Sequence, residues 1–495
     1  MPNPKTRAGA PPITPRRPIT PRRLVVVFVG LQIGMIVSTL DGTIVATALP
    51  TIARDVGAEA QRSWVITAYL LGQVATMPLY GKLGDLYGRK RLYLFAICLF
   101  MVASMLCGSA GSFGALIAFR ALQGVGAGGL GPLAMAVLAD IVPTRQLGRW
   151  LGYQGALFAI ASLIGPFAGG VFVDTLSWRW AFYINLPLAL GSIAIVMSAL
   201  SLPYRRIPHS IDVRGAALLT STLVCVVLIA SLGGDTLPWF SAGIVGLAVA
   251  IAVQVACFVH IERRAREPVV PLGLFSDSIA RVTSGTNFTS GVLFASGIYF
   301  LPVFWQQAGG ISPTQSGLLL IPFMFTTAGA TLVAGSMVER TGRYRVWPIA
   351  GSVLMALGVM LLTTLAVDTP PLLAAGFGAV LGTGVGFVMQ TSLLAFQNSI
   401  DHRDLGVATS TALLSRILGS TMGAALLSAV LEARLPAEGA RDPDAYVHAL
   451  RGVYLAAIPI GIVALLLAVR LKERPLRDDA RFAAGDAATP LASGA

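Results

Sequence analysis

The chain has 495 residues, of which 55% are hydrophobic and only 12% are charged. A soluble protein carries about twice that charge, so the composition excludes a soluble enzyme or scaffold and points to an all-α integral membrane protein. The net charge of +13 would suit nucleic acid, but its distribution along the chain assigns it to a membrane surface.

Residues 1–23 are rich in Pro, Arg and Thr and contain no apolar core. They read as a disordered cytoplasmic tail rather than a cleaved signal. A membrane helix needs roughly 20 apolar residues. Fourteen such runs follow, at 24–49, 63–81, 91–109, 114–138, 150–173, 180–202, 213–233, 239–260, 282–305, 315–338, 346–366, 371–397, 405–430 and 451–470. The breaks between them carry Gly, Pro, Asp or Arg. Fourteen spans put both ends of the chain on one side.

Lys and Arg choose the side. Most of the 36 lie in the tails and in the breaks near 82–91, 139–149, 203–214, 261–281, 339–345 and 398–404. The opposite side holds Arg54, Arg62, Arg179, Arg434, Arg441 and Arg451. Both termini are therefore expected in the cytoplasm, with the basic loops on anionic lipid headgroups and no nucleic-acid partner. Only Lys5, Lys82, Lys90 and Lys472 are lysine, against 54 glycines. That is the composition of a GC-rich genome, and a bacterial cytoplasmic membrane is the expected location. Cys98, Cys107, Cys225 and Cys257 sit in apolar runs without ligand spacing, so free thiols and no metal are expected.

The stretch Gly81–Arg91, GKLGDLYGRKR, packs charge between two apolar runs. It returns as GSMVERTGRYR at 335–345, where Gly81, Asp85, Gly88 and Arg89 become Gly335, Glu339, Gly342 and Arg343. At the same offset Gly152 maps onto Gly406, and Gly165 and Gly169 onto Gly419 and Gly423. A repeat of this length is what transporters built from two halves leave in a sequence. Six-helix bundles are expected at 24–202 and 282–470. They flank an inserted helix pair within 203–281 that is peripheral to any pathway, and a cytoplasmic tail follows at 471–495.

Three charged side chains lie well inside the runs: Asp41, Arg120 and Arg416. A charge at that depth costs about 2.5–3.5 kcal/mol on insertion scales and is a functional candidate by default. Asp41 shares a helical face with Gly34, Ser38, Val45 and Ala48. A carboxyl group there can carry a proton, or serve as a structural hydrogen-bonding group. Arg120, followed by Gln123 and a run of glycines, must be paired, and Asp41 is a possible partner, either static or working. Arg416 can meet an anionic or polar substrate group, or hold Gln390, Gln397 and nearby backbone. The small residues Ala161, Gly165 and Gly169, with Pro166 and Gly170, give a bent helix suited to a rocking interface or to ordinary tight packing. The four histidines fall in loops or at run ends.

Taken together these stretches resemble the major facilitator superfamily, most closely its fourteen-span drug:proton antiporter branch. Gly81–Arg91 resembles the family's motif between helices 2 and 3, with Gly84 and Leu86 as departures. LDGTIVATALP at 40–50, LIAFRALQGVGAGG at 116–129, residues 161–170, WRWAFYINLP at 178–187 and QNSIDHRDLGVATSTALLSRILG at 397–419 resemble the branch's further motifs in order. Ala161 stands where the helix 5 motif has Gly. The resemblance implies an exporter of small amphiphilic or drug-like compounds that alternates access and is driven by the proton gradient, with no other cofactor. It also implies a latch at Asp85 and Arg89 and a proton-handling Asp41 and Arg120. Ser38, Gln123, Gln390 and Arg416 are the candidate cavity residues, and a monomer in contact with lipid is expected. A same-fold transporter of a dedicated metabolite or lipid is the alternative. An intramembrane enzyme would need paired acids or a His cluster at depth, and the sequence has neither.

Overall fold

A computed structural model describes residues 20–57, 64–200, 212–233, 237–239, 241–265, 268–401, 404–435 and 442–476. The helices are α1 (Pro21–Asp55), α2 (Trp64–Tyr87), α3 (Arg89–Gly108), α4 (Phe113–Ile141), α5 (Thr144–Thr175), α6 (Trp180–Tyr183), α7 (Asn185–Ala199), α8 (Val213–Leu232), α9 (Ala242–Glu262), α10 (Ser278–Val303), α11 (Pro313–Leu319), α12 (Ile321–Thr341), α13 (Val346–Leu362), α14 (Pro371–Ser399), α15 (Leu405–Arg434) and α16 (Pro443–Val469). No strand occurs among the described residues. Thr20, Ser112, Asp212, Ser241, Asp277 and Asp442 each accept a first-turn amide of the helix they precede. The breaks between apolar runs thus hold the residues that satisfy amides a helix leaves free. Gly88, at φ 95°, makes the turn between α2 and α3 in a region that disfavours a side chain.

Every apolar run falls on helix, and 11 helical stretches are long and apolar enough to cross a membrane. The chain is a multi-pass membrane protein. α13 is a shorter apolar helix, and α2 and α5 are not among the 11. Several ends differ from the apolar runs. The run at 180–202 is divided at Ile184 into α6 and α7, and the run at 315–338 spans α11 and α12. α1 continues to Asp55, which sets Asp41 deeper below its end than the run suggested, and α16 starts at Pro443, before its apolar run. The expected tails, 1–19 and 477–495, lie outside the described residues.

Helices α1 to α7 pack among themselves, with α4 against α2 and α3 and with α1 against α5 and α7. α10 and α12 to α16 do the same, with α10 against α15 and α14 against α12 and α13. The two groups meet where α5 lies along α12 and α2 along α15. The inserted pair α8 and α9 pack on each other, and α8 also touches both α2 and α15. Thr220 donates to the Ala75 carbonyl at 3.2 Å. α8 therefore lies against a seam between the groups, with α9 packed on it.

Candidate functional site

Asp41 on α1 and Arg120 on α4 are 0% and 1% exposed. Arg120 Nη1 donates to Asp41 Oδ2 at 2.5 Å and to Gln123 Oε1 at 2.6 Å, while Nε donates to the Val65 carbonyl at 3.0 Å. The other carboxylate oxygen accepts Gln123 Nε2 at 2.7 Å and Asn185 Nδ2 at 2.9 Å. Both amides also donate to Ser104 Oγ, at 2.7 and 3.3 Å. The Arg120 guanidinium lies over the Tyr69 ring, 4.3 Å from its centroid, and Tyr69 OH shares a 2.8 Å hydrogen bond with Ser38 Oγ. A buried carboxylate is tolerable only when paired and hydrogen-bonded, and here α1, α2, α3, α4 and α7 all contribute. Arg120 is thus held by the Asp41 carboxylate, and that carboxylate by three donors from two other side chains and Arg120 itself.

The repeated charged turns lie at the basic end of the bundle. Arg89 Nε donates to Asp85 Oδ1 at 3.0 Å, and its Nη1 stands 2.5 Å from Asp140 Oδ1 at the end of α4. Asp85 reaches from α2 to the start of α15, where its oxygens accept the Gly406 amide at 3.1 Å and the Val407 amide at 3.0 Å. The α15 cap residue, Asp404, offers its own helix no side-chain bond. Asp85 thus caps a helix of the other group, where the carboxylate also meets the favourable end of the helix dipole. The second copy is arranged otherwise. Glu339 meets Arg149 Nε at 3.4 Å with both side chains partly exposed, its carbonyl accepts Arg145 Nε at 3.2 Å, and Arg343 is exposed. Both seams are lined by glycine: Gly81 abuts the Gly406 carbonyl, and Gly148 and Gly335 abut each other's backbone.

Gly165 and Gly169 pack against Thr43 and Ile44 of α1, inside the first group. α5 runs unbroken through this stretch, and the side chains at Pro166 and Gly170 lie outside the described residues. Gln390 on α14 is buried with Oε1 unpartnered, and Gln397 donates to Thr409 Oγ1 at 2.8 Å. Arg416 is partly exposed and has no ion pair among the described residues. Sequence reasoning missed Ser104, Asn185 and Tyr69, because uncharged polar residues within spans are common. It also passed over Asp140, an acid at a run end that reads as loop and that only the folded chain brings to Arg89. At the other end of the bundle, Asp55 accepts Trp178 Nε1 at 2.8 Å and Arg179 Nη1 at 3.3 Å. The indole bond, with the Arg179 guanidinium, holds its carboxyl below the ordinary value. The tie is therefore present at neutral pH and is lost only as pH falls through that lowered value.

A helical membrane bundle of two packed groups, with an enclosed ion pair and charged turns at one end, is an architecture found in membrane transporters. The model of the Major Facilitator Superfamily matches residues 31–424 and, in a second alignment, 283–493, and the chain belongs to that family. It is 38% identical over 407 residues to the multidrug transporter protein MdtP of Bacillus subtilis, covering 82% of this chain and 75% of that one. An uncharacterized MFS-type transporter of Mycobacterium tuberculosis is 35% identical over 500 residues, covering 95% of this chain and 72% of its own. Among solved structures, the human organic anion transporter MFSD10 superposes with a TM-score of 0.64 at 17% identity, covering 92% of this chain and 100% of that one; at that identity the likeness concerns the fold.

Proposed function

We propose that this chain is a proton-coupled exporter of small amphiphilic compounds, working by alternating access in a bacterial cytoplasmic membrane. In this reading fourteen helices span, counting α2, α5 and α13 and taking α6 with α7 and α11 with α12, and both termini are cytoplasmic. Six-helix bundles at 24–202 and 282–470 rock about the seams, and the inserted pair within 203–281 rides on one seam. The multidrug transporter name carried by the Bacillus subtilis relative supports a drug-like substrate class. The observation that supports the coupling is the enclosed Asp41–Arg120 pair: Asp41 is the one acid among the described residues at mid-span, and its carboxylate accepts from three donors. Proton uptake would release Arg120 and give the cluster a second arrangement, and a gradient can drive transport only through such a difference between states.

The test is efflux from proteoliposomes with an imposed pH gradient. Asp41→Asn is expected to abolish concentrative export while retaining substrate exchange at equal pH. Gradient-driven accumulation at the wild-type level by Asp41→Asn would remove Asp41 from the coupling step.

A further inference from the structure

Near mid-membrane the described residues include a cation without an ion-pair partner, and the acids closest to that depth are paired; the buried Glu262 lies at the end of α9. Among the described residues Asp41 is held by Arg120, and Asp85 and Asp140 by Arg89. Arg416 has neither hydrogen bond nor ion pair. It lies about 16 Å along α15 from Leu405, at 1.5 Å per residue, which is close to mid-membrane. α15 is buried at every position from Leu405 to Leu414, and then Ser415, Arg416, Ile417 and Leu418 are all partly exposed. Four consecutive residues cover more than one turn, so the opening includes the interior side of the helix. A guanidinium facing lipid at this depth is strongly disfavoured, which directs Arg416 inward. Its root is fixed: Gly291 of α10 abuts the Arg416 carbonyl, Gly419 abuts the Phe288 carbonyl, and Gly423 meets Val292. The adjoining α14 supplies Gln390, buried and with its carbonyl oxygen unpartnered.

We propose that Arg416 is the recognition point for the acidic headgroup of an anionic amphiphile, so that the transported compounds carry a carboxylate or sulfonate. This rests on the export reading above and narrows it. The planar guanidinium matches two oxygens of such a group in a way a point charge does not. Among the described residues a monocation finds no unpaired carboxylate at this depth. Export of an anion against inward protons also moves net positive charge inward, so an interior-negative potential accelerates it, whereas one-for-one exchange with a monocation is electroneutral.

The experiment measures binding of radiolabelled naphthalenesulfonate and naphthylmethylammonium, one ring with opposite charges, to the full chain in phosphatidylcholine vesicles. The wild type is expected to prefer the sulfonate by about tenfold or more, the worth of one charge-assisted hydrogen bond. Arg416→Gln is expected to lose that preference at an unchanged melting temperature, and Arg416→Lys to retain part of it. Undiminished sulfonate affinity in Arg416→Gln, or a wild-type preference for the ammonium, overturns the proposal. If Arg416→Gln does not fold, Arg416→Lys decides: a reduced but persisting sulfonate preference supports the site, and an unchanged one overturns it. Competition by added phosphatidylglycerol assigns the same anion site to a lipid headgroup instead of a free amphiphile. Arg416-dependent binding without pH-driven efflux would retain the anion site and remove the export reading. Efflux with Arg416-independent binding would do the reverse.

Discussion

Asn185 shows how much of the buried cluster depends on residues that carry no charge. Its Nδ2 is one of two amide donors to Asp41 Oδ1, and it sits at the start of α7, after the break at Ile184. Asn185→Ala is expected to cost about 1–3 kcal/mol of stability, the penalty for losing a hydrogen bond to a charged group, and to reduce coupled transport more than passive exchange. Thermal unfolding in detergent beside the two transport assays reads this, and wild-type coupling in the variant would make Asn185 packing only. Asp41 and Arg120 were legible in the sequence because a charge inside an apolar run has no bland place to go. Their pairing was legible only as one option, since spacing within a helix says nothing about which helices become neighbours. Ser104 and Tyr69 had no comparable signal.

The two charged turns illustrate the same limit at the scale of elements. The repeat was visible, and it suggests equal locks, yet they differ because of what each turn meets. Asp85 meets α15 at its first residues, where amides are free. Glu339 meets α5 through the Arg145 and Arg149 side chains of its first two turns and caps no amide there, so its carboxylate pairs with Arg149 at the surface. Exposed pairs are worth roughly 0–1 kcal/mol, whereas breaking a buried one costs about 3–5 kcal/mol. Asp85→Asn is therefore expected to abolish most transport, and Glu339→Gln to leave at least about half. Equal losses in an efflux assay would show that the copies act alike. Helix ends were read poorly for a related reason: hydropathy marks residence in hydrocarbon, while α1 and α16 continue past it to Asp55 and from Pro443.

For the whole molecule the glycine seams decide how the groups can part. At Gly148 and Gly335 backbone lies on backbone, so at that crossing closure of the basic end involves no interleaved side chains. Gly335→Leu is expected to hold that end open and stop transport, with expression and thermal stability near wild type. A cysteine introduced at Ser410, which faces Gly81 across the other seam, should then react with a soluble maleimide from the basic side. Protection equal to that in the Gly335 parent would show that the seam tolerates the side chain.

α4 carries Arg120 in its first third and Asp140 at its end, and each is committed to a buried ion pair. The helix is thus a connecting rod between the buried Asp41 carboxylate and, through Arg89, the Asp85 carboxylate that caps a helix of the opposite group. The rod is jointed, because Pro132 lies between the two attachment points and removes one bond of the ladder. A change in tilt on the Arg120 side would reach the latch with a lag set by that joint. Straightening it with Pro132→Ala should change the turnover rate while leaving substrate affinity in place, and unaltered turnover would mean that proton site and latch communicate by another route.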